Sequence, residues 1–401
     1  MEAYIVDWLN LFGRWLHLIT GIAWIGASFY FVWLDNHLLP PRAAADSERG
    51  IGGELWAVHG GGFYQAQKFR LTPPSLPEPL HWFKWEAYWT WMSGMFLLAL
   101  IYWYGAEIYL IDPNVAELSK AVAIVIGAGT LAGGWVLYDM LCKSPLGRDD
   151  RKLAGVVFLF VSVVAFALCH VFSGRGAYIH FGGMLGTIMV ANVFFVIMPA
   201  QRELVAACAE GRAPDPTPGL NAKQRSVHNT YFTLPVLFVM VSNHYAGTYG
   251  HAYNWLILIA ISLVGALIRV WFVQRHFGKS GPLPLVGAGL ILLAVVAALA
   301  PRPVPTVSNG ERSGAQLFGQ VRGIVATRCS SCHAAEPSQP GFTAPPKGVV
   351  FETDLDIVNQ AVSIHQQSVV SKAMPIANLT QMTDGERALL DQWFRSGAKT
   401  E

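Results

Sequence analysis

Charged residues are scarce in this chain. Only 13% of its 401 residues are Asp, Glu, Lys or Arg, whereas 53% are hydrophobic. Soluble domains usually carry about 25% charged residues, so this composition is typical of a polytopic membrane protein. The net charge of +2 is too small to indicate a nucleic-acid partner, and the sequence has no basic tract that would bind one.

Cysteine is also rare. The five cysteines comprise one close pair, Cys329 and Cys332, and three scattered residues, Cys142, Cys169 and Cys208. Three isolated cysteines supply no disulfide framework. No second close pair is present to complete a zinc site. We interpret the three scattered cysteines as packing residues.

Long apolar runs dominate residues 1–300. A helix that crosses a membrane needs about 20 apolar residues, and such runs lie near 10–34, 86–106, 119–141, 152–173, 177–199, 228–248, 254–274 and 281–300. The first run is too long for a signal peptide, contains Arg14 and His17, and lacks a small-residue cleavage site. The predicted fold class is therefore all-α, with a membrane bundle of about eight transmembrane helices.

The positive charges between these runs alternate along the chain. Lys and Arg cluster in the first, third, fifth and seventh connections, whereas the second and fourth contain only Lys120 and Arg175 and the sixth contains none. Cytoplasmic loops carry the excess of Lys and Arg. We therefore expect a bacterial cytoplasmic-membrane protein with both termini in the periplasm.

The first connection, residues 35–85, is the only long loop of the predicted membrane domain. Segments 54–59 and 63–69 read as two short strands around the glycine turn 60–62. Long ordered loops are often functional. His59 stands out there, because the adjacent glycines would let a ligand approach the backbone closely.

The motif Cys329-Ser330-Ser331-Cys332-His333 carries the clearest chemical signal. The spacing C-x-x-C-H is the attachment site of a c-type haem, in which both thiols form thioethers and the histidine binds the iron. Met374 is our choice for the opposite axial ligand, with Met382 and His365 as alternatives. We expect one covalent haem c.

Residues 313–401 are enough for a small, helical, class I-like cytochrome c domain, and the Pro-rich stretch 301–312 reads as a stiff tether to it. An amphipathic helix over 383–396 would pack across the haem. Because this tail follows the eighth predicted span, it falls in the periplasm, where bacteria attach c-type haem.

Four histidines lie in the outer halves of the predicted spans. Ionisable groups inside a bilayer are costly and invite a functional hypothesis. Glycines close to two of the four would leave room for a flat porphyrin, so we hypothesise one or two haem b groups in the membrane domain. The alternative is that each histidine bonds a neighbouring carbonyl or caps a helix. The four are His17, His170, His180 and His244.

Segments 13–30, 54–62, 85–91 and 242–245 resemble the integral-membrane urate oxidase family. Its members join an eight-span membrane domain to a C-terminal cytochrome c, and the resemblance covers the whole chain. It implies oxidation of urate to 5-hydroxyisourate with oxygen supplied by water and without hydrogen peroxide. The electrons would leave through haem c for a soluble cytochrome c or a terminal oxidase.

Urate is a planar anion, so its pocket should offer aromatic or apolar walls, a cation and amide or backbone donors. A general base must also reach the urate or the attacking water. Our candidates for substrate or proton handling are Arg14, His59, Glu86 and Asn243. Arg269, in the seventh predicted span, could form a structural pair or bind an anion.

Two other functions compete with urate oxidation. A quinol or other small-molecule dehydrogenase could deliver electrons to the same cytochrome. A transporter or membrane scaffold with a fused redox sensor is the alternative from another class, but the sequence has no internal repeat or paired broken helices, which mark many transporters.

Overall fold

The computed structural model describes residues 1–276, 281–300 and 314–401, and this part of the chain is mostly helical. Up to residue 300 the helices are α1 (Glu2–His37), α2 (Ala44–Glu48), α3 (Trp85–Leu97), α4 (Ala106–Tyr109), α5 (Lys120–Lys143), α6 (Asp150–Cys169), α7 (Gly174–Asn192), α8 (Met198–Ala209), α9 (Pro216–Ser242), α10 (Ala246–Tyr249), α11 (Asn254–His276) and α12 (Leu283–Ala298). The helices that follow are α13 (Gly314–Arg328), α14 (Asp354–Asn359), α15 (Ala361–Ile364) and α16 (Asp384–Arg395). The predicted tether, 301–312, lies outside the described residues.

Each of the eight predicted spans falls on helix. Five helical stretches among the described residues are long and apolar enough to cross a membrane: Tyr4–His37, Lys120–Lys143, Asp150–Cys169, Gly174–Ala209 and Asn254–Arg275. The other three predicted spans coincide with α3 and its π-helical continuation Leu98–Tyr104, with α9, and with the 16-residue helix α12.

Helix α7 lies at the centre of the bundle and packs against α5, α6 and α9. Two glycines of α5 allow it to approach α7 closely. A Cβ atom added at Gly127 would lie 2.7 Å from Nε2 of His180, and one added at Gly134 would lie 2.4 Å from Cγ of Met184. Both glycines are needed for α5 and α7 to pack this closely.

Helix α1, in contrast, packs mainly against α3. Large apolar side chains on its other faces, such as Trp15 and Ile22, are more than half exposed. A stripe of this kind is an apolar surface that the rest of the described chain does not cover.

The predicted hairpin in the first connection is confirmed. Strands β1 (Ile51–His59) and β2 (Gly62–Phe69) pair antiparallel, with His59 opposite Gly62. Gly60 and Gly61 form the turn with φ of 57° and 83°, values that suit the two-residue turns of β-hairpins.

The C-terminal residues have a hydrophobic core of their own. Helices α13 and α16 pack together, and Phe318, Leu390 and Trp393 are almost fully buried between them. The Arg328 guanidinium donates to Glu386 at 3.0 Å and so links the two helices. The helix predicted over 383–396 is confirmed as α16, which begins with a capping box formed by Thr383 and Glu386.

The C-terminal part rests against the connection that contains α4. Gln381 donates to the side-chain oxygen of Asn114 at 2.9 Å, and a Cβ atom at Gly341 would lie 2.9 Å from Ile108. This is the second connection, which the charge pattern predicts to be on the outer side.

Candidate functional site

The Cys-x-x-Cys-His motif continues the last turn of α13. The amide of Cys329 donates to Val325 at 2.9 Å, and the amides of Cys332 and His333 donate to the carbonyl of Cys329 at 3.1 and 3.0 Å. Side chains at positions i, i+3 and i+4 of a helix share one face. The chain therefore presents both thiols and the imidazole together.

His333 is oriented by a backbone carbonyl. Its Nδ1 donates to the oxygen of Val349 at 3.0 Å, and Phe351 packs against the ring with the centroids 5.2 Å apart. Because a carbonyl can only accept, the proton lies on Nδ1 and Nε2 keeps its lone pair. This is the usual arrangement of a histidine that ligates a metal.

Both thiols of the predicted attachment site are free. Neither cysteine forms a disulfide, and both are half-buried. Burial raises the pKa of the Cys329 thiol to about 12, and burial likewise raises the pKa of Cys332. Cys329 also packs against the core between α13 and α16, so the predicted attachment site adjoins a hydrophobic interior.

The segment that carries Met374 is held by Arg387 of α16. The Arg387 guanidinium donates to the carbonyl of Met374 at 2.9 Å and to that of Ser368. Met374 itself is half-buried. The chain thus fixes the backbone at Met374, whose side chain is not part of the core between α13 and α16.

The two alternative axial ligands are engaged elsewhere. Met382 is only 3% exposed and packs in the core with Leu390 and Trp393. The Nε2 atom of His365 lies 2.9 Å from a carboxylate oxygen of Asp391, and its ring stacks on Phe394. Met374 is the residue of the three that the structure leaves most available.

The structure separates the four predicted membrane histidines into two groups. His170 and His244 are exposed, and Nδ1 of His170 bonds the carbonyl of Phe166 in its own helix. His17 and His180 face neighbouring helices. No hydrogen bond or ring contact among the described residues joins any two of the four.

The side chain of His17 lies between α1 and α3. Its Nδ1 donates to the carbonyl of Thr90 at 3.0 Å and lies 3.1 Å from the hydroxyl of Ser93. Its ring also packs closely against Gly94 of α3. These contacts leave Nε2 with its lone pair, and they tie α1 to α3.

His180 is completely buried on α7. Its Nδ1 donates to the carbonyl of Gly176 at 2.9 Å, and its Nε2 accepts from the indole of Trp103 at 3.1 Å. Both ring nitrogens therefore have partners within the protein. Iron ligation by His180 requires Trp103 to release its hydrogen bond.

A cationic cluster adjoins His180. Asn243 accepts hydrogen bonds from Nε of Arg175 at 3.1 Å and from the hydroxyl of Tyr102 at 3.2 Å. The Arg175 guanidinium also lies 5.2 Å from the ring centroid of Tyr109. Tyr102 and Trp103 belong to the π-helical segment, a feature that often occurs at functional sites.

Sequence reasoning identified only one member of this cluster. Asn243 was a candidate, whereas Arg175 counted only as a loop charge, and Tyr102 and Trp103 gave no signal. Arg175 lies in the first turn of α7 and points into the bundle. Its position as the lone positive charge of the fourth connection is the signal that could have found it.

The remaining candidates lie apart from the cluster. Arg14 is exposed and donates to Asn10 of its own helix at 2.6 Å. His59 is exposed at the tip of the hairpin, and Glu86 is half-buried in the first turn of α3. Within the described ranges, no three His, Cys, Asp or Glu side chains converge as a metal site would require.

Comparison with known proteins assigns the membrane-like part of the chain. A family model described as Urate oxidase N-terminal matches residues 3–300. Neither the curated proteins nor the solved structures include a significant match. The matched residues contain α1 to α12 and therefore His17, His180 and the Arg175 cluster. They cover well over half of the 401 residues, and the chain therefore belongs to the urate oxidase N-terminal family.

Proposed function

We propose that this protein is a membrane-bound oxidoreductase that converts urate to 5-hydroxyisourate and passes the electrons to a covalently bound haem c. Membership of the family supports urate as the substrate. The assignment of haem c as the electron acceptor rests on one helical turn, which presents Cys329, Cys332 and His333 together. The bond from Nδ1 of His333 to Val349 leaves Nε2 with its lone pair.

The proposed reaction balances without dioxygen. Urate and one water give 5-hydroxyisourate, two protons and two electrons, so no hydrogen peroxide forms. Haem c, when bound, accepts one electron at a time, and two transfers complete each turnover. A soluble cytochrome c or a terminal oxidase would receive them.

Cys329 and Cys332 would provide the thioethers to haem c, and His333 and Met374 would hold its iron. Arg387 positions Met374 through its carbonyl, and Val349 fixes the tautomer of His333. A methionine–histidine pair suits an electron carrier.

For the membrane domain we propose eight spans, with the termini and the haem domain in the periplasm. Five helical stretches have the necessary length and apolarity, and α3, α9 and α12 would complete the set. The exposed apolar faces of α1 support this, because lipid would cover them.

Electrons would pass from the membrane domain to haem c near His180 and the adjacent cluster of Arg175, Tyr102 and Asn243. Trp103 bonds His180, and its segment runs directly into α4, against which the C-terminal part rests. We propose His17 and His180 as the first residues to test for haem b ligation, ahead of the exposed His170 and His244. Asn243 and Arg175 would transfer protons or hold the π-helical segment with Tyr102 and Trp103 in place. Arg14, His59 and Glu86 remain weaker proposals.

The test is to mix purified, oxidised protein with urate in the absence of oxygen. We expect the reduced spectrum of haem c to appear, with two haem c groups reduced per urate consumed and no peroxide detected. Absence of the reduced spectrum under these conditions would refute the function.

A double variant, Cys329→Ser with Cys332→Ser, provides the matched control. It lacks the attachment thiols but retains the membrane domain, so urate oxidation should continue when an artificial electron acceptor is added. A pyridine haemochrome measurement on both proteins would count c-type and b-type haem per chain.

A further inference from the structure

A cavity of about 530 Å³ lies between the C-terminal ends of α1 and α11. This is the side that the charge pattern predicts to be cytoplasmic, opposite the haem c domain. Ligand pockets commonly have volumes of about 300–1,000 Å³. The lining residues that matter here are Phe29, Trp33, Asn36, Arg269, Phe272 and Arg275.

Arg269 is the unusual member of this lining. It is only 8% exposed, and its Nε forms no hydrogen bond. No carboxylate in the described part of the chain forms an ion pair with it. Its guanidinium carbon lies 4.2 Å from the ring centroid of Phe29 and 5.9 Å from that of Phe272. A buried charge without a counter-ion is costly.

A second buried arginine, Arg225, is paired with a carboxylate. Arg225 is 3% exposed, donates to Asp139 at 2.9 Å and lies 3.5 Å from the side-chain oxygen of Asn192. The fold therefore supplies a carboxylate where an arginine holds helices together. Arg269 has aromatic rings and open space instead.

We propose that this cavity binds urate, the planar anionic substrate, from the inner side of the membrane; this inference rests on the proposed function. The Arg269 guanidinium would donate to the anion, and Arg275 would add a second positive charge at the rim. Asn36 offers an amide that both donates and accepts. Phe29, Trp33 and Phe272 supply walls for a flat ring.

A lipid phosphate is the competing occupant, since Arg and Trp also gather at membrane interfaces. A tetrahedral phosphate does not stack on aromatic rings, and the other described residues of the lining include no carboxylate to pair with Arg269, although it is only 8% exposed. The aromatic lining and the buried guanidinium therefore favour a small planar anion.

The experiment compares Arg269→Gln with wild type in urate-driven haem c reduction. Loss of hydrogen bonds to a charged ligand typically weakens binding by about tenfold or more, so the KM for urate should rise by at least that factor. Arg151→Gln is the matched control. It removes one exposed positive charge from the same side without touching the cavity and should leave KM unchanged.

Thermal unfolding separates urate binding from a structural role of Arg269, because a structural role would not change how urate shifts the melting temperature. A ligand stabilises the state that binds it, so urate should raise the melting temperature of wild type and of Arg151→Gln but not of Arg269→Met. Without urate, Arg269→Met should melt at or above the wild-type temperature, because it removes a buried unpaired charge.

The outcomes separate this inference from the proposed function. If wild type reduces haem c with urate and Arg269→Gln does so with the same KM, the function stands and the cavity assignment is wrong. If phosphatidylglycerol nanodiscs, but not phosphatidylcholine nanodiscs, stabilise wild type relative to Arg269→Met while urate stabilises neither protein, the cavity binds lipid and the assignment to urate is overturned. If wild type fails with urate altogether, the function itself fails.

Discussion

At the scale of single residues, the partner of Nε2 distinguishes His17 and His333 from His180. In His17, His180 and His333 the Nδ1 atom donates to a backbone carbonyl, which leaves the lone pair on Nε2. His180 then uses that lone pair to accept from Trp103. His17 and His333 retain it for another partner.

The axial methionine can be tested at the same scale. Met374→Leu should abolish the iron–sulfur absorption of haem c, because leucine has no ligating atom. Met382→Leu should keep that absorption and cost less than about 1.5 kcal/mol of stability, as expected for a volume-conserving swap in a core. Visible spectra of the two oxidised variants check this. Loss of the absorption in Met382→Leu, with its retention in Met374→Leu, would reverse the assignment.

Sequence reasoning identified the residues whose chemistry is encoded by spacing. The Cys-x-x-Cys-His motif needs one helical turn, and the structure provides it at the end of α13. Arg175 and Arg269 were harder to assign, because an arginine acquires its role from its neighbours. Only the tertiary structure shows that Arg175 bonds Tyr102 and Asn243, and that no carboxylate of the described residues pairs with Arg269.

At the scale of elements, local patterns predicted most of the helices. The apolar runs fall on helices, and a run of three glycines marks the hairpin turn. The π-helical segment Leu98–Tyr104 could not be predicted from the sequence, because its residues form the same apolar run as an α-helix would. The contact between α5 and α7 also could not be predicted, since α5 contains several glycines and only some of them face α7.

Two glycines of α5 give a matched pair for testing this contact. Gly127→Ala would place a Cβ atom 2.7 Å from Nε2 of His180, and overpacking of this kind costs about 1–3 kcal/mol. Gly129 has no such neighbour within 4 Å, so Gly129→Ala should be neutral or slightly stabilising. Thermal unfolding of the detergent-purified variants measures the difference. Equal melting temperatures would mean that α5 does not approach His180 so closely.

At the scale of the whole molecule, the proposed substrate cavity and the proposed electron exit lie at opposite ends of the bundle. Helix α1 connects them, since Phe29 lines the cavity and His17 lies twelve residues earlier. At about 1.5 Å per residue this is about 18 Å along the helix. A redox centre at His17 would lie between the cavity and haem c and would carry electrons from one to the other, which gives the hypothesis of a membrane haem a physical basis.

The last step of the proposed route depends on how the C-terminal part, with the proposed haem site, rests on the connection that contains α4. Gln381 reaches Asn114 at 2.9 Å, so cysteines at both positions should be joined by a short bismaleimide cross-linker. We expect an intramolecular cross-link in the double variant Asn114→Cys with Gln381→Cys and none in either single variant, as measured by mass spectrometry of peptides.

The activity of the cross-linked protein then decides whether this contact is the one that transfers electrons. If it is, urate should still reduce haem c at close to the uncross-linked rate, because the domain is already in place. A cross-linked protein that no longer reduces its haem would mean that the domain must leave α4 to receive electrons. The cluster of Arg175, Tyr102 and Asn243 would then have a structural role, and electrons would leave elsewhere on the proposed periplasmic face.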